Sequence, residues 1–167
     1  YCQAAESNAV DINKAVEAAH ACFQTYGKTL AKDRERMLCK AADLLERDSA
    51  EFADILIDEI GSPMNKANFE IQYTIGHFRA AAGVARRVTG QTMPSDTPGR
   101  LSMSVRKPVG VIAAITPFNV PLIKAAKLVA SPLATGNTVV LLSSEEAPSL
   151  SYRFAQLLHE AGFPAGS

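Results

Sequence analysis

The sequence predicts an α/β fold: a helical segment, then a β-ribbon, then the start of a doubly wound parallel sheet. Three observations carry this. Apolar residues recur every three or four positions through residues 8–87, the period of amphipathic helices. Turn formers Gly90, Pro94, Pro98 and Gly99 then cluster beside a short alternating segment. Finally, two unbroken apolar runs, 109–116 and 138–142, alternate with helical patterns, the order expected of a right-handed crossover unit.

The first helix is read over residues 8–26, with Ile12, Val16, Ala19, Phe23 and Tyr26 on one stripe. Asn8 and Asp11 form a capping box at its start. A second stripe through Met37, Leu38, Ala41, Leu44 and Leu45 sits in a frame of solvated charges from Lys32 to Arg36. Ser49 is expected to cap a third helix carrying Phe52, Ile55, Leu56 and Ile60, which Gly61 ends before Pro63. The fourth runs from Met64 to about Arg87 through Ala67, Ile71, Ile75, Phe78, Ala82 and Ala85. Leu101 to Arg106 alternates as one strand of a projecting hairpin. The strand over 109–116 should be covered on both faces, as in parallel sheets. A helix from about Val120 to Ala134, stopped by Gly136 and Asn137, leads to the second strand, and a last helix spans Pro148 to about Ala161. The implied division is a helical segment over 1–88, a ribbon over 89–107 and an incomplete βαβα unit over 108–167.

Composition narrows the function classes. The 167 residues carry 17 basic and 17 acidic side chains, intermixed, so no electrostatic stripe suits a phosphate backbone, and nucleic acid is not an expected partner. The apolar runs are too short to cross a bilayer, and the amino end has neither a basic start nor an apolar signal core. A cytoplasmic location is expected. The missing initiator Met and the two-strand unit at the carboxyl end suggest an excised or truncated chain. Cys2, Cys22 and Cys39 are odd in number and have no metal-ligand spacing, so neither a disulfide framework nor a metal site is expected. Cys22 falls on an apolar stripe and reads as core. His20, His77 and His159 lie on three separate helices, without partners at readable spacing.

Two places could carry chemistry. Asn119 sits at a strand-to-helix turn on the carboxyl edge of the sheet, where ligands bind in such folds; its amide could donate to a developing oxyanion or could merely cap the next helix. Glu145 and Glu146 follow the second strand, where an acid can meet a ribose hydroxyl, although acids there more commonly serve a helix dipole. The usual Gly-rich dinucleotide turn is absent, Pro117-Phe118-Asn119 standing in its place.

The stretch Pro108-Val109-Gly110-Val111-Ile112-Ala113-Ala114-Ile115-Thr116-Pro117-Phe118-Asn119-Val120-Pro121-Leu122 resembles the first nucleotide-domain strand and Asn turn of the aldehyde dehydrogenase superfamily. Leu133 to Leu141, Ser144-Glu145 with Pro148, and Leu158 to Gly166 follow at the family's spacing. Asp11 to Phe23, Arg34 to Arg36, and Glu59-Ile60-Gly61-Ser62-Pro63 resemble its amino-terminal helices. The resemblance implies oxidation of an aldehyde to a carboxylic acid with NAD or NADP through a Cys thiohemiacetal. It assigns Asn119 to oxyanion stabilisation, Ile115, Thr116, Pro117 and Phe118 to the wall along the nicotinamide, and Glu145 to the adenosine ribose. It also implies a homo-oligomer joined through the ribbon. None of the three cysteines matches the nucleophile, so the isolated chain is expected to be inactive. Leu142-Ser143-Ser144-Glu145 departs from the family's Lys-Pro-Ser-Glu, removing the Lys that contacts the ribose, and Pro132, one place later than the family's Pro, is expected to disturb its helix. The rival readings are a non-catalytic oligomerisation or interaction module on the same scaffold and a CoA-acylating semialdehyde dehydrogenase homologue.

Overall fold

The computed structural model describes Ala4 and residues 6–167. Readings of the extreme amino end and of Cys2 lie outside the described residues.

Four helices come first: α1 (Ala9–Tyr26), α2 (Ala31–Arg47), α3 (Ser49–Ile60) and α4 (Met64–Ala85). The capping box at α1 is formed, Asn8 Oδ1 accepting from the Val10 N–H at 2.8 Å and Asp11 Oδ2 from the Asn8 N–H at 3.1 Å. Gly61 ends α3 at φ 66°, a left-handed value that a Cβ disfavours. Ser49 does not cap α3. It is the first helical residue, and Asp48 holds the cap position without a side-chain bond to the helix, its carboxylate being drawn to Arg47 and Arg153.

The ribbon is shorter than its sequence pattern: β1 (Gln91–Met93) pairs antiparallel with β2 (Ser102–Ser104). Gly90 leads into it, and a Cβ there would lie 1.8 Å from the Ser104 carbonyl oxygen, so only glycine permits this approach. Then β3 (Val111–Ile115), α5 (Pro121–Ala134), β4 (Thr138–Leu142) and α6 (Pro148–Ala161) complete the chain. β3 and β4 are parallel, with Val111 opposite Thr138 and Ile115 opposite Leu142. Pro132 does not break α5, which continues to Ala134; placed in the last turn, it removes one donor where the helix is ending anyway.

One apolar core joins the early helices to the crossover unit. Leu38 and Leu45 of α2, Phe52 of α3 and Phe78 of α4 are buried with Leu122 and Leu133 of α5 and Phe154 of α6. The Phe78 and Phe154 rings stack at 5.9 Å. The residue pattern predicted this face well on α2 and α4. It overstated α1, whose Ile12 and Val16 are exposed while Ala19 and Tyr26 are buried. The expectation that the strand over 109–116 is covered on both faces is likewise corrected: Ile115 is 69% exposed, and Leu142 of β4 51%. Cys22 is half-buried at the margin of the core rather than inside it.

Candidate functional site

The two ends of the small sheet differ in chemistry. At the amino end, the side chain of Asn137 accepts at Oδ1 from the backbone N–H groups of Val109 (2.8 Å) and Gly110 (3.1 Å), and donates to Thr135 Oγ1 at 2.8 Å. This one amide ties the entry of β3 to the loop between α5 and β4. Arg34 of α2, 9% exposed, donates from Nε to the Ala134 carbonyl at 2.9 Å and from a terminal nitrogen to the Thr29 carbonyl. Tyr26 donates its hydroxyl proton to the Leu133 carbonyl at 2.9 Å. The Ala134 and Leu133 carbonyls lie at the end of α5, so these bonds fasten that end to α1 and α2. Thr138 Oγ1 donates to Ala19 O at 3.0 Å, fastening α1 to β4. Sequence periodicity could not reveal these partners, because they are 100 or more residues apart for Arg34, Tyr26 and Thr138.

At the carboxyl end the groups are left open. Thr116 follows β3 directly, its backbone N–H and hydroxyl both donating to the Leu142 carbonyl, at 3.1 and 3.3 Å. Thr116 is buried; Pro117, Phe118 and Asn119 beyond it are exposed. Phe118 is 55% exposed. Asn119 does not cap α5: Val120 is the cap residue, with no side-chain bond, and the Asn119 amide makes no hydrogen bond to any described residue. The capping alternative for Asn119 is therefore set aside. Pro121 in the first turn pre-sets the helical φ and adds no N–H of its own, so α5 begins with an uncapped, partially positive end at this edge.

Glu145 is exposed in the turn after β4, which Ser144 organises by accepting from the Glu146 N–H at its hydroxyl (3.2 Å) and from the Ala147 N–H at its carbonyl (3.1 Å). Neither Glu145 nor Glu146 serves the dipole of α6. That role belongs to Glu59 of α3, whose carboxylate accepts from the Ser149 and Leu150 N–H groups at 2.7 and 3.0 Å. Sequence reasoning placed Glu59 only within a motif. A tertiary cap 90 residues away has no local signature. With α6 already capped from elsewhere, Glu145 is free to face solvent on the edge that Asn119 also occupies.

Between α1 and the sheet lies an apolar cleft of about 450 Å³, lined by Ile12, Val16, Ala113, Ile115, Val140 and Leu142 among others. The described cysteines do not stand there: Cys22 lies on α1, its thiol pushed up by burial, and Cys39 is exposed on α2. A raised thiol pKa is opposite to what a nucleophilic thiolate needs. His20 and His159 are exposed, while burial, assisted by the charge of Lys127, pushes His77 down. No helix among the described residues is long and apolar enough to cross a membrane.

The arrangement is that of a parallel-sheet edge bearing the free Asn119 amide, an apolar rim and the exposed Glu145 and Glu146 carboxylates, and comparison with known proteins defines its class. The aldehyde dehydrogenase family model matches residues 1–167, and the chain belongs to that family. Salicylaldehyde dehydrogenase of Pseudomonas putida is 37% identical over 164 residues, covering 98% of this chain and 34% of its own length. The crystal structure of the enzyme of strain G7 with salicylaldehyde has a TM-score of 0.95 at 37% identity, over 97% of this chain and 34% of that one. An NAD-dependent benzaldehyde dehydrogenase from Corynebacterium glutamicum gives 0.90 at 36% identity, over 94% and 34%. An NADP-dependent enzyme of E. coli gives 0.91 at 29% identity, over 94% and 33%. The chain thus spans about a third of the length of the curated relatives it matches.

Proposed function

We propose that the chain provides the oxyanion donor and part of the cofactor wall of an NAD(P)-dependent aldehyde dehydrogenase that oxidises an aldehyde to a carboxylic acid. The observation that carries this reading is the exposed, unpartnered Asn119 amide beside the uncapped start of α5. When a thiolate adds to an aldehyde carbon, negative charge develops on the carbonyl oxygen. A fixed amide N–H and the positive end of a helix both stabilise it more than they stabilise the neutral carbonyl.

The edge residues also fit a dinucleotide. Ile115, Thr116, Pro117 and Phe118 offer an apolar wall for the nicotinamide side, and the free Glu145 carboxylate can accept from ribose hydroxyls. NAD or NADP, when bound, accepts the hydride released from the substrate carbon. Leu142 presents an exposed hydrocarbon where a cation would meet the ribose or its phosphate, which weakens the hold on either cofactor. The thiol nucleophile and the base that activates water are not supplied by Cys22 or Cys39, nor by any described residue placed beside Asn119. In this reading residues 1–88 are the helical part of the cofactor-binding domain, 89–107 the ribbon and 108–167 the first βαβα of the nucleotide fold. The exposed Met93, Leu101, Met103 and Val105 support pairing of the ribbon with a second copy.

A chimera tests the assignment. With the matching third of salicylaldehyde dehydrogenase replaced by this segment, turnover is expected, and Asn119→Ala should lower kcat about 10²–10³-fold with little change in KM. A chimera that turns over equally well with Ala at 119 removes the role assigned to Asn119. The chain by itself should show no turnover with NAD or NADP, and binding weaker than about 1 mM. Light scattering checks pairing, with Met103→Lys and Val105→Lys expected to give monomer.

A further inference from the structure

A second cavity lies at the opposite end of β3 and β4 from Asn119. It measures about 600 Å³, and its walls include Arg34, Arg86, Arg106, Lys107, Val109 and Asn137. Four of these residues are cationic, and no carboxylate lines it among the described residues. Arg86 is ion-paired with Glu35. Arg106 and Lys107 make no ion pair or hydrogen bond with any described residue, so their charges are not neutralised within the fold. Arg34 differs from a surface cation. It is nine-tenths buried, and its bonds to the Thr29 and Ala134 carbonyls fix the guanidinium in place.

Concentrating uncompensated positive charge in one concave space is unfavourable unless an anion resides there, and a wall of low dielectric strengthens its attraction for that anion. A guanidinium held by backbone carbonyls is pre-organised, so little side-chain entropy is lost when it meets a ligand, while Arg106 and Lys107 add charge-assisted donors. Oxygens of phosphate match the planar fork of Arg. The volume exceeds what a lone phosphate fills and falls in the range, about 300–1,000 Å³, of small-molecule sites. We propose that this cavity binds a phosphate-bearing small molecule, with Arg106 and Lys107 as its mobile ligands and Arg34 as the fixed one. The site is separate from the dinucleotide edge: Val109 and Asn137 stand at the amino ends of the strands whose carboxyl ends carry Asn119 and Glu145.

Calorimetry of the 167-residue chain with inorganic pyrophosphate tests the proposal. Binding tighter than about 1 mM is expected. The double variant Arg106→Gln/Lys107→Gln should weaken it about tenfold or more, since each removes a charge-assisted contact. Lys14→Gln/Lys40→Gln removes the same charge from exposed positions elsewhere and should leave binding unchanged. Asn119→Ala/Glu145→Gln should also leave it unchanged, which separates this site from the proposed cofactor edge. Circular dichroism confirms that each variant is folded, and Arg106→Gln alone serves if the double variant is not. Absence of binding at millimolar pyrophosphate overturns the proposal. So does equal weakening by the Lys14 and Lys40 pair, which means diffuse attraction, or weakening by the Asn119 and Glu145 pair, which means that the anion sits at the other edge.

Discussion

β3 and β4 are only five residues long, yet their amino and carboxyl ends are built to opposite rules. At the amino end the buried polar side chains have partners: Asn137 joins two N–H groups and a hydroxyl, and Arg34, Tyr26 and Thr138 each meet a distant carbonyl. At the carboxyl end Asn119 makes no bond to a described residue, Glu145 is exposed, and Ile115 and Leu142 face water. The difference separates residues that hold the sheet from residues that it holds out. A polar group whose hydrogen-bonding capacity is fully used, as at Asn137, contributes rigidity but cannot engage a ligand, whereas a free amide on a rigid turn can.

On that contrast, stability should respond to the side chains bonded within the fold and catalysis to the free amide. The largest loss is expected for Arg34→Ala, which leaves the Ala134 and Thr29 carbonyls without their donor and removes buried packing; about 3 kcal/mol should be lost in urea unfolding. Asn137→Ala deprives the Val109 and Gly110 N–H groups of their acceptor and should destabilise by roughly 2 kcal/mol by the same measurement. Glu59→Ala uncaps α6 from a distance, with a loss of about 1 kcal/mol. Asn119→Ala should change stability by less than about 0.5 kcal/mol, because nothing in the fold leans on it. A loss as large as that of Asn137→Ala would mean that Asn119 is structural and that the two ends are not distinct. Leu142→Lys sharpens the contrast further: its stability effect should again stay under about 0.5 kcal/mol, while titration should show NAD(P) bound a few-fold more tightly through a new charge-assisted contact.

Much of this organisation is legible in the order of residues, and the reasons are local. The Asn8 to Asp11 box, the stop at Gly61, and the bounds of β4 and α6 follow from caps and runs whose partners are within a few positions. Asn119 could be located because a strand-to-helix turn places its residue at a sheet edge whatever surrounds it. Misreadings fall where the partner is far away. Ser49 looked like a cap until Asp48 took that position, engaged with Arg47 and Arg153. The continuous apolar run of β3 implied cover on both faces, but cover depends on which elements pack there, and α1 reaches only part of the sheet.

By itself, then, the sequence determined the helices, the ribbon, the crossover unit, the family and the turn that presents Asn119, because backbone propensity, periodicity and motif spacing act over short separations. Only the tertiary structure decided that Asn119 stays free while Asn137, another Asn beside a helix end and a strand, is consumed by two backbone donors. It also decided that Glu59, rather than Glu145, neutralises the start of α6, and that Arg34 is buried against carbonyls 100 residues away. The physical reason is common to all three. A hydrogen-bonding side chain is claimed by whichever unsatisfied group the fold brings within about 3 Å, and that neighbour is a property of packing, not of the residue's own segment.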